Sequence, residues 1–89
     1  MTRNEARDIA DAGFVHIAAD PELVGTLLAQ SGSDVAGLRV MAARPEFAVF
    51  VLDFLLEQDQ RVLDFAQAAH IAPQRVQMAR AVLGGGDPW

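Results

Sequence analysis

The sequence predicts an all-α fold, a compact bundle of five to six short helices around a central apolar helix. Three observations predict it. Apolar residues recur at three- and four-residue spacing along most of the chain. Segments open on capping or proline–acidic signals and close on glycine. One stretch, Phe47 to Leu56, is apolar nearly all round, interrupted only by Asp53, as in a helix that others surround.

Thr2 suits the N-cap of a first helix, with Glu5 three residues on to complete a capping box. Ala6, Ile9, Ala10, Gly13 and Ile17 then share one face, flanked by Phe14. Asp20-Pro21-Glu22 restarts the chain: a capping carboxylate, a proline suited to the first helical position, and an acid at the positive end of the helix dipole. Leu23, Val24, Leu27 and Leu28 form the stripe of this second helix, and Gly32 can close it in a left-handed conformation. Ser33 or Asp34 opens a short third helix with a stripe of Val35, Leu38, Met41 and Ala42. Pro45-Glu46 repeats the start signal ahead of the apolar segment. Its valines and phenylalanines would also suit a buried strand, but the run is long for one and no hairpin partner exists. Asp59, or Gln58 beside it, begins a fifth helix carrying Val62, Leu63, Phe65, Ala66 and Ala69. After Ile71-Ala72-Pro73, a sixth presents Val76, Ala79 and Leu83, with Met78 and Val82 alongside, and closes at Gly84-Gly85-Gly86. Residues 1–84 are thus expected to form a single helical domain. Residues 85–89, with Asp87-Pro88-Trp89, are expected to form a flexible tail.

Composition narrows the function. With 52% apolar residues in 89, a real core can form without disulfides, and cysteine is absent. Twelve acidic against seven basic residues give a formal charge of −5, a balance that repels phosphate backbones and anionic lipids unless the bases segregate. The alternating charges of Met1 to Asp11 predict no signal peptide. The longest apolar run, Phe47 to Leu52, is far short of the ~20 residues of a membrane span. The expected setting is cytoplasmic, with no membrane partner.

One segment invites a nucleic-acid reading. Phe65 to Leu83 places Ala66, Ile71, Pro73 and Val76 at offsets that suit a helix-turn-helix, which would offer Gln74, Arg75, Gln77 and Arg80 to bases and phosphates. Three departures weigh against it. His70 stands at the turn where glycine is usual, Ala72 stands where a serine or threonine cap is expected, and the acidic chain supplies no lysine cluster. The reading requires Arg75 and Arg80 to share an exposed face with Arg61, clear of carboxylates.

No constellation points to catalysis, and the chain is expected not to be an enzyme. Asp53 is the most unusual residue, since a carboxylate in an apolar helix must be exposed, hydrogen-bonded or protonated. No partner lies near it in sequence, so it reads as the solvent edge of the central helix, with Glu57 paired to Arg61. His16 and His70 are far apart, each without a second ligand at helical spacing, and both read as partly buried helix-end residues; no metal or cofactor is expected. Ser31 and Ser33, around Gly32, read as capping groups. Gly84 to Gly86 follows a helix, whereas a phosphate cradle precedes one.

The order Asp20-Pro21-Glu22-Leu23, Gly32, Leu38-Arg39, then Val51-Leu52-Asp53-Phe54-Leu55-Leu56, with Phe65, Ala69, Pro73, Val76, Ala79 and Leu83 to close, resembles a family of small alphaproteobacterial proteins built on a domain of unknown function, number 3572. The likeness covers nearly the whole chain. It implies an all-helical fold of this length and a bacterial cytoplasm, and supplies no catalytic or binding residues to carry over. Where that family tends to have glycine before the last helix, this chain has His70.

Two functional readings follow. The first is an acidic protein–protein interaction module or adaptor, whose partner is another protein or a second copy. It is motivated by apolar residues outside the tidy stripes, at Val15, Val40, Val49 and Val82. The alternative is the helix-turn-helix, with nucleic acid as the disfavoured partner.

Overall fold

The Thr2 hydroxyl accepts the Glu5 backbone N–H at 3.1 Å, and the Glu5 carboxylate accepts the Thr2 N–H in return, so the first helix begins on the capping box its sequence spells. A computed structural model describes residues 1–84. The expected tail, 85–89, lies outside the described residues. The described part comprises helices α1 (Arg3–Ala18), α2 (Pro21–Ser31), α3 (Val35–Ala42), α4 (Glu46–Leu56), α5 (Asp59–Ala69) and α6 (Gln74–Leu83), an all-α bundle. Its Cα radius of gyration, 12.4 Å, is close to the ~12 Å of a compact chain of this length.

The anticipated boundaries hold closely. Asp20 accepts the Glu22 N–H at 3.0 Å with Pro21 in the first turn, and Asp34, of the two candidates, caps α3 by accepting the Gly37 N–H at 2.8 Å. Gly32 closes α2 at φ 68°, and the Ser33 N–H reaches back to the Leu28 carbonyl at 3.3 Å, completing a Schellman motif. The same motif ends α5, with His70 in the left-handed position at φ 59° and the Ile71 N–H on the Ala66 carbonyl at 3.0 Å. Glycine is usual there because a Cβ is penalised in that conformation.

The core draws on every helix. Phe47, Val51, Leu52, Phe54 and Leu55 of α4 are buried, and so are Ala6, Ile9, Ala10, Gly13 and Ile17 of α1. Helix α4 touches α1, α3, α5 and α6, as a central helix should, yet the most extensive contact joins α1 to α6. The centre is therefore shared by α1 and α4. Gly13 lies where they meet. A Cβ there would sit 3.0 Å from Leu55 Cδ1 and 3.4 Å from Val51 Cγ1.

Some expected stripe residues are not buried. Val35 and Ala42 are exposed because α3 packs chiefly on α4, and no other helix makes an extensive contact that would cover a wide stripe. Leu63 lies a quarter-turn from the line of Val62, Phe65 and Ala66, and Met78 faces away from Val76 and Ala79; both are exposed. Conversely, Val49 and Val82, expected at the surface, are half-buried, and only Val15 and Val40 of that group stand out.

Candidate interaction surfaces

The four residues of the nucleic-acid reading are divided by the fold. Gln74 and Gln77 are exposed on the outer face of α6 with Met78. Arg75 and Arg80 instead straddle the buried line of Val76 and Ala79, and each turns to a different neighbour. Arg75 lies 3.5 Å from the Glu5 carboxylate at the start of α1. Arg80 Nε donates a short hydrogen bond to Asp53 on α4. Arg61 does not join them. Its side chain retains only 10% exposure, stacks with its guanidinium 4.0 Å from the Phe54 ring centroid, and donates to the Phe54 carbonyl at 2.9 Å. The shared exposed cationic face is therefore not formed.

Asp53 sits at the solvent edge, half exposed, as its neighbours in sequence suggested. Its partner, 27 residues away, is invisible to local pattern. The Glu57–Arg61 pair is present at 3.8 Å, and the Gln30 amide donates to Glu57 at 2.9 Å, tying α2 to α4. Hydrogen bonds from the Thr2 backbone and hydroxyl hold the Glu5 pKa below its ordinary value.

The other polar candidates are occupied by structure. Ser31 donates to the Leu28 carbonyl at 3.1 Å and accepts the Ser33 N–H at 3.3 Å, while the Ser33 hydroxyl approaches Met41 sulfur at 3.7 Å. His16 is half-buried, its ring 5.6 Å from that of Phe65. His70, expected to be partly covered, is exposed, because the left-handed turn at φ 59° aims it away from the helix it ends. Among the described residues no charged side chain is buried, and no cluster of His, Asp and Glu could hold a metal ion.

What remains is surface relief on either side of α1. On one flank, Ala12, Val15, His16 and Ala19 meet Phe65, Ala68 and Ala69 of α5 across a groove of about 370 Å³ that no carboxylate or guanidinium lines. Val15 is the most exposed large apolar side chain described, at 67%. On the opposite flank, Arg7, Phe14 and Asp11 face the α3–α4 corner, Ala42 to Pro45, across a cleft of about 430 Å³. Leu63 overlooks a third hollow, of about 310 Å³, between α5 and the start of α6.

The profile of the family described as protein of unknown function DUF3572 matches residues 3–86, nearly the whole chain. The chain belongs to that family. No curated protein and no solved structure matches it. The DUF3572 match begins at the first helical residue and runs past the end of α6, so all the helices described lie inside it. The residues that carried the likeness have structural work in this chain. Asp20 and Gly32 end α2, Val51, Leu52, Phe54, Leu55, Phe65, Val76 and Ala79 are buried, and Asp53 holds Arg80. Among the described residues, no helix is long and apolar enough to cross a membrane.

Proposed function

We propose that this domain is a non-enzymatic protein–protein interaction module of the bacterial cytoplasm, docking through the groove between α1 and α5. The observation that carries the reading is Val15, two-thirds exposed above a trough of alanines with no charged lining. An apolar side chain entering there would be desolvated against Ala12, Ala19, Phe65 and Ala68. Asp8 precedes Ala12 by one turn, and Asp64 precedes Ala68 by one turn, so the groove has an acidic residue above each wall. Those acids favour a partner whose apolar side chain is flanked by basic residues, and disfavour a second copy, which would bring the same carboxylates face to face. The family likeness supports the cellular setting. The nucleic-acid alternative draws no support from Arg75 and Arg80, which are engaged with Glu5 and Asp53.

A photo-crosslinking amino acid placed at Val15 in the native cell tests this, with one at Gly25 on α2 as the control. The expected result is a discrete adduct from position 15 alone, lost when Ala68→Glu is added. An adduct of twice the chain mass would replace the proposed partner with a second copy. Absence of any adduct from folded protein would remove the reading.

A further inference from the structure

The second flank of α1 has chemistry of its own. We infer that the cleft between α1 and the α3–α4 corner binds an acidic, apolar peptide segment of another protein, with Arg7 and Arg44 as its carboxylate anchors. The inference does not rest on the α1–α5 groove.

Charge placement comes first. The chain has twelve acids for seven arginines, yet neither Arg7 nor Arg44 lies within ion-pairing distance of a carboxylate among the described residues. Arg61, Arg75 and Arg80, by contrast, are each paired. Asp11 stands one turn from Arg7 on the same helix and still does not engage it. Both free guanidiniums are exposed at the mouth of the same cleft.

The floor is apolar. Ala10, Phe14, Phe47 and Val51 line it, with the Phe14 and Phe47 rings edge to face at 5.0 Å and an interplanar angle of 85°. At about 430 Å³ the hollow falls within the ~300–1,000 Å³ range of ligand sites. A second hollow of about 410 Å³ shares Arg7 and Pro45 with it and adds Arg3, Val49, Phe50 and Leu83. The two together form a track with apolar floors on either side of an arginine.

Local charge inverts that of the molecule. Arg3, Arg7 and Arg44 face Asp11 and Glu46, while Asp53, at the far edge, is already held by Arg80. With Asp53 set against Arg80, the track holds three guanidiniums for two carboxylates, a locally positive balance over an aromatic floor in a chain of net −5. Free phosphate or a nucleic-acid backbone would use the guanidiniums and leave the phenylalanines without a role. A peptide with a carboxylate beside a large apolar side chain uses both, through forked arginine hydrogen bonds and ring burial.

The test is selection from a phage-displayed library of random peptides on the full chain, in parallel with the Arg7→Glu/Arg44→Glu variant. Both substituted residues are exposed, and retained helical circular dichroism confirms that the variant is folded. The expected outcome is a motif pairing Asp or Glu with Phe, Leu or Trp, bound at least about tenfold more weakly by the double variant and weakened by added salt. Ala68→Glu on the other flank should leave that binding unchanged. No enrichment, a motif without an acidic residue, or equal retention by the double variant would overturn the inference. So would tighter binding of duplex DNA or inorganic polyphosphate than of the selected peptides.

Discussion

Helices α2 and α3 and helices α4 to α6 are stabilised by different means. Asp20 and Asp34 cap the first two by accepting backbone N–H groups, and each of those helices buries a single residue, Leu27 or Leu38. Helix α4 starts at Pro45 with no side-chain cap, as do α5 at Gln58 and α6 at Pro73, yet these three bury five, three and two residues. Only α1 has both a cap and a wide buried face. A helix with a narrow contact depends on hydrogen bonds at its ends, since packing alone would not offset the cost of ordering it. A helix in the middle of the core can do without a side-chain cap and tie an early amide into a tight backbone turn instead, as the Phe47 N–H does on the Arg44 carbonyl at 3.1 Å.

The sharpest way to break this comparison is to empty the core. Phe54 is 1% exposed, and Phe54→Ala should cost about 3–5 kcal/mol in urea unfolding, against a total of about 5–15 for a small domain. Leu38→Ala, at the margin of the core, should lie near the bottom of the range for such truncations, about 2 kcal/mol. Equal losses at the two positions would erase the distinction.

Arg61 comes next. It takes the Phe54 carbonyl near the end of α4 and covers that ring, so Arg61→Ala should cost about 2 kcal/mol in the same assay. Arg61→Lys should recover less than half, because an ammonium cannot lie flat on the ring while donating sideways.

Removing the cap of α3 sharpens the contrast. Asp34→Ala should cost about 1 kcal/mol and speed amide exchange within α3 while α4 stays protected. Gln58→Ala, at a start without a side-chain hydrogen bond, should change stability by less than about 0.5 kcal/mol.

The two left-handed turns offer a test of opposite sign. Gly32 ends α2 at φ 68° without strain, and His70 ends α5 at φ 59° with a Cβ. His70→Gly should raise the unfolding free energy by about 0.5–1 kcal/mol, and a loss would mean that the exposed imidazole makes a contact worth more than the strain.

The smallest effect is set by pH. The capping hydrogen bonds hold the Glu5 pKa below its ordinary value, so its contribution is complete above the unfolded-state pKa and disappears as pH falls through the lowered one. Glu5→Gln keeps a capping geometry and should flatten that acid limb of the stability profile.

Local devices were legible in the sequence, and distant ones were not. The capping box at Thr2, the caps at Asp20 and Asp34 and the stop at Gly32 each involve residues within a few positions of one another, so composition and spacing reveal them. The five buried positions of α1 follow from a strict helical period. The partners of Asp53 and Arg75 lie on other helices, and no periodicity reports them. Period alone makes the stripes of α3 and α5 too wide, because it gives a direction without saying how many neighbours lie in it; Val35 and Leu63 point where little or nothing packs. The two grooves beside α1 belong to the same class. Val15 is conspicuous in the sequence as an apolar residue off the stripe, but that Arg7 and Arg44 share one cleft without an ion pair, while Arg61, Arg75 and Arg80 are paired, emerges only from the packing of the helices.

The missing side chain at Gly13 has a wider meaning for how this chain can change. Leu55 Cδ1 would lie 3.0 Å from a methyl at position 13, so the two positions compete for one volume. Alanine at 13 gains about 1 kcal/mol of intrinsic helix preference over glycine, and the methyl must displace Leu55 to do so. Trim Leu55, and the same methyl enters the hole that trimming leaves. The pair is therefore epistatic: the effect of a methyl at 13 depends on how much side chain stands at 55, and the loss from trimming Leu55 is smaller where that methyl is already in place.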